Sequence, residues 1–272
     1  MATTPNISAP FICSASRNRR DLMIQRYQKL PLPAYKPAEG AAINGASISS
    51  GLVLSCLFNE GTGTSIADNT SSPLIGTLSA GSIWGTDDTY TNVLNFDGSA
   101  YGAIPHDSKI SIETYTISLA FKTTSTTNYG VLVDKSSSTK STYKMFFGYP
   151  SAGNLTFDVY DGSNDALYTA DSTYNDDDWH KLIFSREQGG DMNIYVDGVL
   201  QGQGDDTTTL GATVNTEDLV IAREAGTGRR YTGSFAYLNM WNRVLSGAPG
   251  SVGSTATGEI AAITADEFLM YR

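Results

Sequence analysis

The sequence has very little of what most catalytic sites are built from. Its 272 residues include two histidines and two cysteines. His106 follows Pro105 in a predicted loop, and His180 follows Trp179 at the start of a predicted strand. Neither position suggests a Ser–His–Asp or Cys–His arrangement. Two cysteines, Cys13 and Cys56, do not make a disulfide framework and are read as free thiols. No run of 18 apolar residues is present, so no membrane insertion is expected, and the start does not read as a signal peptide. A phosphate-cradling glycine loop and a His–Cys metal pattern are also missing. So is the Glu-x-Asp-x-x-Glu strand that sets two carboxylates on one face for glycoside hydrolysis. Charged residues make up only 17% of the chain, and the acidic runs Asp176–Asp178 and Asp205–Asp206 read as solvated turns. No catalytic residue is assigned.

The charge that exists is unevenly placed. Residues 1–50 hold six basic against two acidic side chains, so +4, within a chain whose net charge is −10. The remainder is therefore −14, which excludes nucleic acid as a partner of the main body, since phosphate contacts need clustered Lys and Arg. Five prolines break up residues 1–50, and Arg17–Lys29 between them has no Pro or Gly. This segment reads as an extended arm with too little apolar surface for its own core. Phe11, Leu22 and Tyr27 are its expected buried contacts, and Arg17, Arg19 and Arg20 its carboxylate partners on a neighbouring surface.

From Gly51 the pattern becomes that of strands. Leu52–Phe58 is a mostly apolar run, and Tyr115–Thr123 alternates with Ile117, Leu119 and Phe121 on one face. Further strands are predicted at Val93–Phe96, Val131–Asp134, Lys144–Gly148, Asn154–Tyr160, Trp179–Arg186, Asp191–Val196, Val199–Gln201, Leu219–Ala222 and Ser234–Trp241. Gly- and Asp-rich turns separate them, and no long helical period intervenes. The fold class is all-β, an antiparallel sandwich of the jelly-roll type. Residues 51–246 form that domain, residues 1–50 the arm, and residues 247–272 a loop followed by a short helix over Thr257–Tyr271.

Six stretches carry a family resemblance. Gly51-Leu-Val-Leu-Ser-Cys-Leu-Phe-Asn-Glu-Gly-Thr-Gly, Ile75-Gly-Thr-Leu-Ser-Ala-Gly, Leu94-Asn-Phe-Asp-Gly-Ser-Ala-Tyr, Asp178-Trp-His-Lys-Leu, Asn193-Ile-Tyr-Val-Asp-Gly-Val-Leu and Trp241-Asn-Arg-Val-Leu-Ser occur in that order. Together they resemble laminin-G-like, concanavalin A-like domains. The resemblance implies Trp-His at a strand start, where His180 packs and hydrogen-bonds. It also implies a possible structural Ca²⁺ near Asp68 and Asp97. Where relatives carry Asp in a Gly-x-Ile-Asp-Glu pattern this chain has Gly233-Ser-Phe-Ala236-Tyr, which removes one expected ligand.

The ending, Thr257-Gly-Glu-Ile-Ala-Ala-Ile-Thr-Ala-Asp-Glu-Phe-Leu-Met-Tyr-Arg, resembles that of laminin-G-like proteins encoded by tailed bacteriophages. It implies a non-enzymatic virion protein, a capsid decoration or other particle-surface subunit. Its partners would be capsid or tail proteins and copies of itself. The alternative is a carbohydrate-binding lectin module, on a tail fibre or secreted, that recognises cell-surface glycans. Sugars pack their apolar faces on exposed rings, and Tyr90, Tyr101, Tyr129, Tyr149, Tyr168, Tyr174 and Tyr231 fall in or near predicted loops. Of these, Tyr101, Tyr129 and Tyr231 are the candidate glycan contacts.

Overall fold

Short alternating segments pair into two antiparallel sheets that close on one shared core. The computed structural model describes residues 48–80, 83–126, 129–169, 173–225 and 228–265. The chain divides into two units, Met1–Ala42 and Ile43–Arg272, and the described residues all belong to the second. Strands are numbered along the chain. The first sheet runs, in spatial order, β14 (Val199–Asp205), β13 (Asp191–Val196), β12 (His180–Arg186), β7 (Tyr115–Lys122), β16 (Thr232–Trp241), β5 (Val93–Asp97) and β4 (Trp84–Gly85). The second runs β11 (Asn164–Tyr168), β10 (Leu155–Tyr160), β9 (Ser141–Phe147), β8 (Gly130–Ser136), β15 (Leu219–Ile221), β6 (Gly102–Ile104), β3 (Gly76–Leu78) and β2 (Ser65–Ile66).

Strand β16 is the longest and the most connected. Along one edge it pairs β7 from Ser234 to Trp241. Along the other, Thr232–Phe235 pair β5, and Leu238–Trp241 pair β1 (Leu52–Cys56). The register with β7 slips between Phe235 and Tyr237, as a β-bulge does.

On β7 the expected face holds: Tyr115, Ile117, Leu119 and Phe121 enter the core between the sheets. Aromatic pairs join the two layers. Phe157 of β10 and Phe184 of β12 have ring centroids 5.0 Å apart, and Tyr115 and Tyr143 sit edge-on at 5.4 Å. Such pairs add about 0.5–1.5 kcal/mol each beyond area burial.

The opposite face of the first sheet is also covered. Leu245, Ala256, Ile260 and Ile263 pack on Ile183, Tyr195 and Leu200, while Tyr90 and Trp179 pack with Ala120, Ala236 and Tyr237. Ile260 and Ile263 belong to α1 (Gly258–Ala265), the described part of the expected C-terminal helix; residues 266–272 lie outside the described residues. The segment before α1 is tightly fitted: a Cβ on Gly247, whose φ is +109°, would lie 1.9 Å from the Thr257 oxygen. Glu259 serves as an anchor for this segment. It accepts from the two terminal Arg243 nitrogens, at 2.8 and 2.7 Å, and from the Ser246 N–H. Among the described residues, no helix is long and apolar enough to cross a membrane.

Candidate functional site

The order of strands in the second sheet gathers four loops at one end. Gly130 at the start of β8 pairs Phe147 at the end of β9. Ile221 at the end of β15 pairs Val133 of β8 and Gly102 at the start of β6. The residues just outside these ends therefore converge: Tyr101 before β6, Tyr129 before β8, Tyr149 after β9, and the loop after β15. That loop folds back on itself as a small hairpin. Arg223 bridges Arg230, the Glu224 N–H donates to the Arg229 oxygen at 2.9 Å, and the Tyr231 N–H donates to the Ala222 oxygen at 3.0 Å.

The hairpin lays two guanidinium groups on two tyrosines. Arg229 lies 4.3 Å from the Tyr129 ring centroid, and Arg223 lies 4.6 Å from that of Tyr101. Tyr129 stacks on Tyr149 with centroids 4.7 Å apart and planes at 28°. Phe146, buried beneath them, is 5.6 and 6.0 Å from the two rings. Tyr129 holds φ at +60°, a left-handed conformation that costs a bulky residue about 1–3 kcal/mol and persists only where its surroundings impose it. Desolvation and the neighbouring Tyr149 hydroxyl raise the Tyr129 phenol above its ordinary pKa.

Carboxylates behind the rim are already engaged. Glu224 accepts from Lys144 at 2.7 Å and pairs Arg229 at 3.5 Å. Asp134 is wholly buried and accepts from the Ser136 hydroxyl and from the Ala225 N–H. Burial holds its pKa above the usual carboxylate range even though Ser136, Ala225 and Lys144 favour the charge. The rim is therefore a rigid cluster of tyrosine rings packed under guanidinium groups, with its carboxylates already engaged.

A second depression, of about 540 Å³, opens beside Trp179 and is lined by Asp87, Lys122, Asp177 and Asp197. His180 is clamped at its inner end. Nδ1 lies 2.8 Å from Asp197 and Nε2 lies 3.1 Å from Asp176, with Tyr174 edge-on at 5.2 Å. Burial works against a charged ring, but the two aspartates outweigh it and raise the His180 pKa. With both nitrogens engaged, His180 packs and hydrogen-bonds as its Trp-His context implied.

Of the candidate glycan contacts, Tyr101 and Tyr129 both stand at the rim, half-buried. Tyr231 does not, and its assignment is corrected. It is fully buried, stacks on Phe235 at 4.8 Å, and donates its hydroxyl to the Lys122 oxygen, so it presents no face to a ligand. Tyr90 and Tyr174 are buried as well.

The two candidate calcium ligands serve separate local purposes. Asp68 is buried and accepts from the N–H groups of Ser55, Thr70 and Leu74, from the Thr70 hydroxyl, and from Lys109 at 3.1 Å. An ammonium group stands where a hard cation was expected. Asp97 shapes its own exposed turn through Ser99 and Ala100. Among the described residues, no group of three or more His, Cys, Asp or Glu side chains is placed to hold a metal ion. The donors at Asp68 thus fit a lysine better than Ca²⁺, which takes six to eight oxygens.

Cys56 is buried, and burial pushes its thiol far above the ordinary range, so it is inert. Cys13 and the arm residues Phe11, Arg17, Arg19, Arg20, Leu22 and Tyr27 lie outside the described residues. Sequence reasoning missed Arg223 and Arg229. The available signal was Arg223 with Arg229-Arg230, three arginines within eight residues of an acidic body.

Comparison with solved structures gives the same architecture. The binding domain of botulinum neurotoxin serotype D/C superposes with a TM-score of 0.58 at 14% identity, over 74% of this chain and 50% of that one. The binding domain of Paraclostridial Mosquitocidal Protein 1 gives 0.58 at 14%, over 72% and 50%. The binding domain of botulinum neurotoxin DC, solved in complex with SialylT, gives 0.56 at 12%, over 72% and 48%. The chain thus spans about half the length of each of these structures, and at such identities the likeness is one of fold. No curated protein sequence matches the chain. A laminin-G-type family model matches residues 96–248, which take in the Asp178, Asn193 and Trp241 stretches and most of the Leu94 stretch. That match covers more than half of the chain, and the protein belongs to the concanavalin A-like lectin/glucanases superfamily.

Proposed function

We propose that the jelly roll is a carbohydrate-binding module whose contact surface is the rim of Tyr101, Tyr129 and Tyr149. The observation that carries this reading is the stack of Arg229, Tyr129 and Tyr149. Tyr129 lies under Arg229 and against Tyr149, so it holds the cluster together, and a pyranose would meet ring edges and polar groups kept rigid at little entropic cost. The neurotoxin binding domain solved with SialylT supports the reading only as a protein of the same fold. Hydrolysis is not part of the proposal. The carboxylates near the rim, Asp134 and Glu224, are buried and tied to Ser136, Ala225, Lys144 and Arg229. The test is a glycan array followed by calorimetry on the strongest hits. Tyr129→Ala should weaken binding by at least about tenfold, because Tyr149 and Arg229 lose the ring that positions them, with an unchanged circular dichroism spectrum. A wild-type protein that binds no glycan overturns the reading.

A second role rests on the +4 of residues 1–50 against the −14 of the remainder. We infer that this arm attaches the module to a larger assembly, in keeping with a capsid decoration or other virion-surface subunit, through acidic surfaces of capsid, tail or sibling subunits. Deleting residues 1–40 should leave a folded jelly roll that no longer joins its assembly. Unimpaired assembly of the truncated chain would reduce the arm to a leader.

A further inference from the structure

We propose that Arg223 and Arg230 form a binding site for a dianionic tetrahedral oxyanion, phosphate or sulfate, either free or carried as a phosphomonoester. The site is separate from carbohydrate binding and needs no open ring face. The hairpin after β15 has two sides of different character. Arg223 bridges Arg230 across it. Directly opposed residues of an antiparallel pair carry their side chains on the same side, with Cβ atoms about 4.5–5.5 Å apart. The next residues, Glu224 and Arg229, fall on the other side, where Glu224 answers Arg229 at 3.5 Å and Lys144 at 2.7 Å. That side is compensated. On the first side two like charges stand opposite each other, which destabilises a pair, and neither guanidinium has a carboxylate partner among the described residues.

Both side chains reach the same loop. Arg223 lies on the Tyr101 ring, 4.6 Å from its centroid, and Arg230 donates from one terminal nitrogen to the Ser99 oxygen at 3.2 Å. Asp97 opens that loop, but it spends its carboxylate on the Ser99 and Ala100 N–H groups and the Ser99 hydroxyl. Of the Arg223 nitrogens only Nε is buried; the two terminal ones are not, and they have no protein acceptor. Both arginines are half-buried, so each is held in place by its stem while donors stay open to solvent. A planar carboxylate would satisfy one fork. A tetrahedral oxyanion presents three or more oxygens and a charge of about −2, which answers two guanidinium groups at once. The −14 of the region after residue 50 repels anions, but salt screens charges beyond about 8 Å, so the local pair decides. A phosphodiester carries one charge per group and would have to continue onto the acidic surface, which disfavours nucleic acid.

The experiment titrates the isotope-labelled full chain with inorganic phosphate, sulfate, phenyl phosphate and acetate, holding ionic strength constant with chloride, and follows backbone amide shifts. Phosphate, sulfate or phenyl phosphate should give saturable shifts at Ser99, Tyr101, Arg223 and Arg230, with acetate about tenfold weaker for want of the second charge-assisted contact. Tighter binding of phenyl phosphate than of the inorganic ions identifies a monoester as the ligand, and the reverse order a free ion; either supports the site. Arg223→Gln and Arg230→Gln, checked for native circular dichroism, should each weaken binding about tenfold. Lys140→Gln removes the same charge at the turn between β8 and β9 and should leave binding unchanged. No saturable shift, or acetate binding as tightly as phosphate and sulfate, overturns the proposal, and this comparison on the wild type decides even if an arginine variant does not fold. An equal loss in Lys140→Gln reduces the effect to net charge and also overturns it. A dT oligonucleotide that binds more tightly than phenyl phosphate makes the pair a nucleic-acid contact and sinks the proposal. None of these outcomes depends on whether the rim binds a glycan.

Discussion

Replacing Asp68 with alanine tests whether Lys109 does the work a metal ion would do. The carboxylate has no exposed surface, and its two oxygens receive Ser55, Thr70, Leu74 and Lys109. Removing it orphans the Ser55 N–H, which is buried, and leaves an ammonium group only 19% exposed without its counter-charge. The Thr70 and Leu74 N–H groups are only partly buried and regain water. Breaking a buried pair from one side costs about 3–5 kcal/mol. For a domain of this size each kcal/mol moves the midpoint by about 2–4 °C, so Asp68→Ala should lower Tm by roughly 6–20 °C. Lys109→Met should cost less, because the three backbone donors remain on the carboxylate and the lysine head can otherwise reach water. Denaturant melts of both variants give the free energies, and scanning calorimetry gives Tm. The wild-type midpoint should not move when calcium is exchanged for a chelator. A calcium-dependent rise in the wild-type Tm, or an Asp68→Ala cost below about 1 kcal/mol, would refute the reasoning.

Stability should depend on pH at both ends of the range. Burial opposes ionisation of Asp68 and Asp206, but backbone donors and Lys109 at the first, and Arg186 and Thr208 at the second, outweigh it and lower both pKa values. Their contribution is present above the ordinary value of 3.8 and is lost as pH falls below it through the folded values, which acid melts of wild type and Asp206→Asn will show. His180 has a raised pKa, so its contribution is complete below the ordinary 6.5 and is lost as pH rises above that through the folded value. His180→Gln should flatten that alkaline limb in a Tm-versus-pH series, and an unchanged limb would remove the clamp from the account. Glu259→Ala should release the segment from Ser246 to Ala265, so limited proteolysis should cut there first while the strands persist.

The long strands were legible because alternation over six or more residues leaves a period that composition cannot mimic. Tyr115–Lys122 and His180–Arg186 are examples. Strands β2, β3, β4 and β6 have two or three residues each and no period to find; their partners make them. Strand β11 was missed because Asn164-Asp165 reads as a turn and pairs only because β10 offers a ladder. The ring-bearing part of the rim was visible in loops, at Tyr101, Tyr129 and Tyr149. The guanidinium groups above those rings depend on β15 lying between β6 and β8, which no local pattern states. Tyr231 misled for the same reason: it falls beside a predicted loop, but pairing with Ala222 draws it inside. Asp68 read as a turn or metal carboxylate because its lysine stands 41 positions away.

The placement of β16 has a consequence for biogenesis. Among the described strands it is the last made, yet it sits between β7 on one side and β5 and β1 on the other. While the ribosome is still short of Trp241, those three strands have no shared partner, and the first sheet has a gap at its middle. The second sheet, from β11 through β8, can pair earlier because its neighbours there are consecutive. Closure of the sandwich therefore waits on release of the C-terminal part of the chain, and the open edges of β1, β5 and β7 must be kept from other nascent copies in that interval.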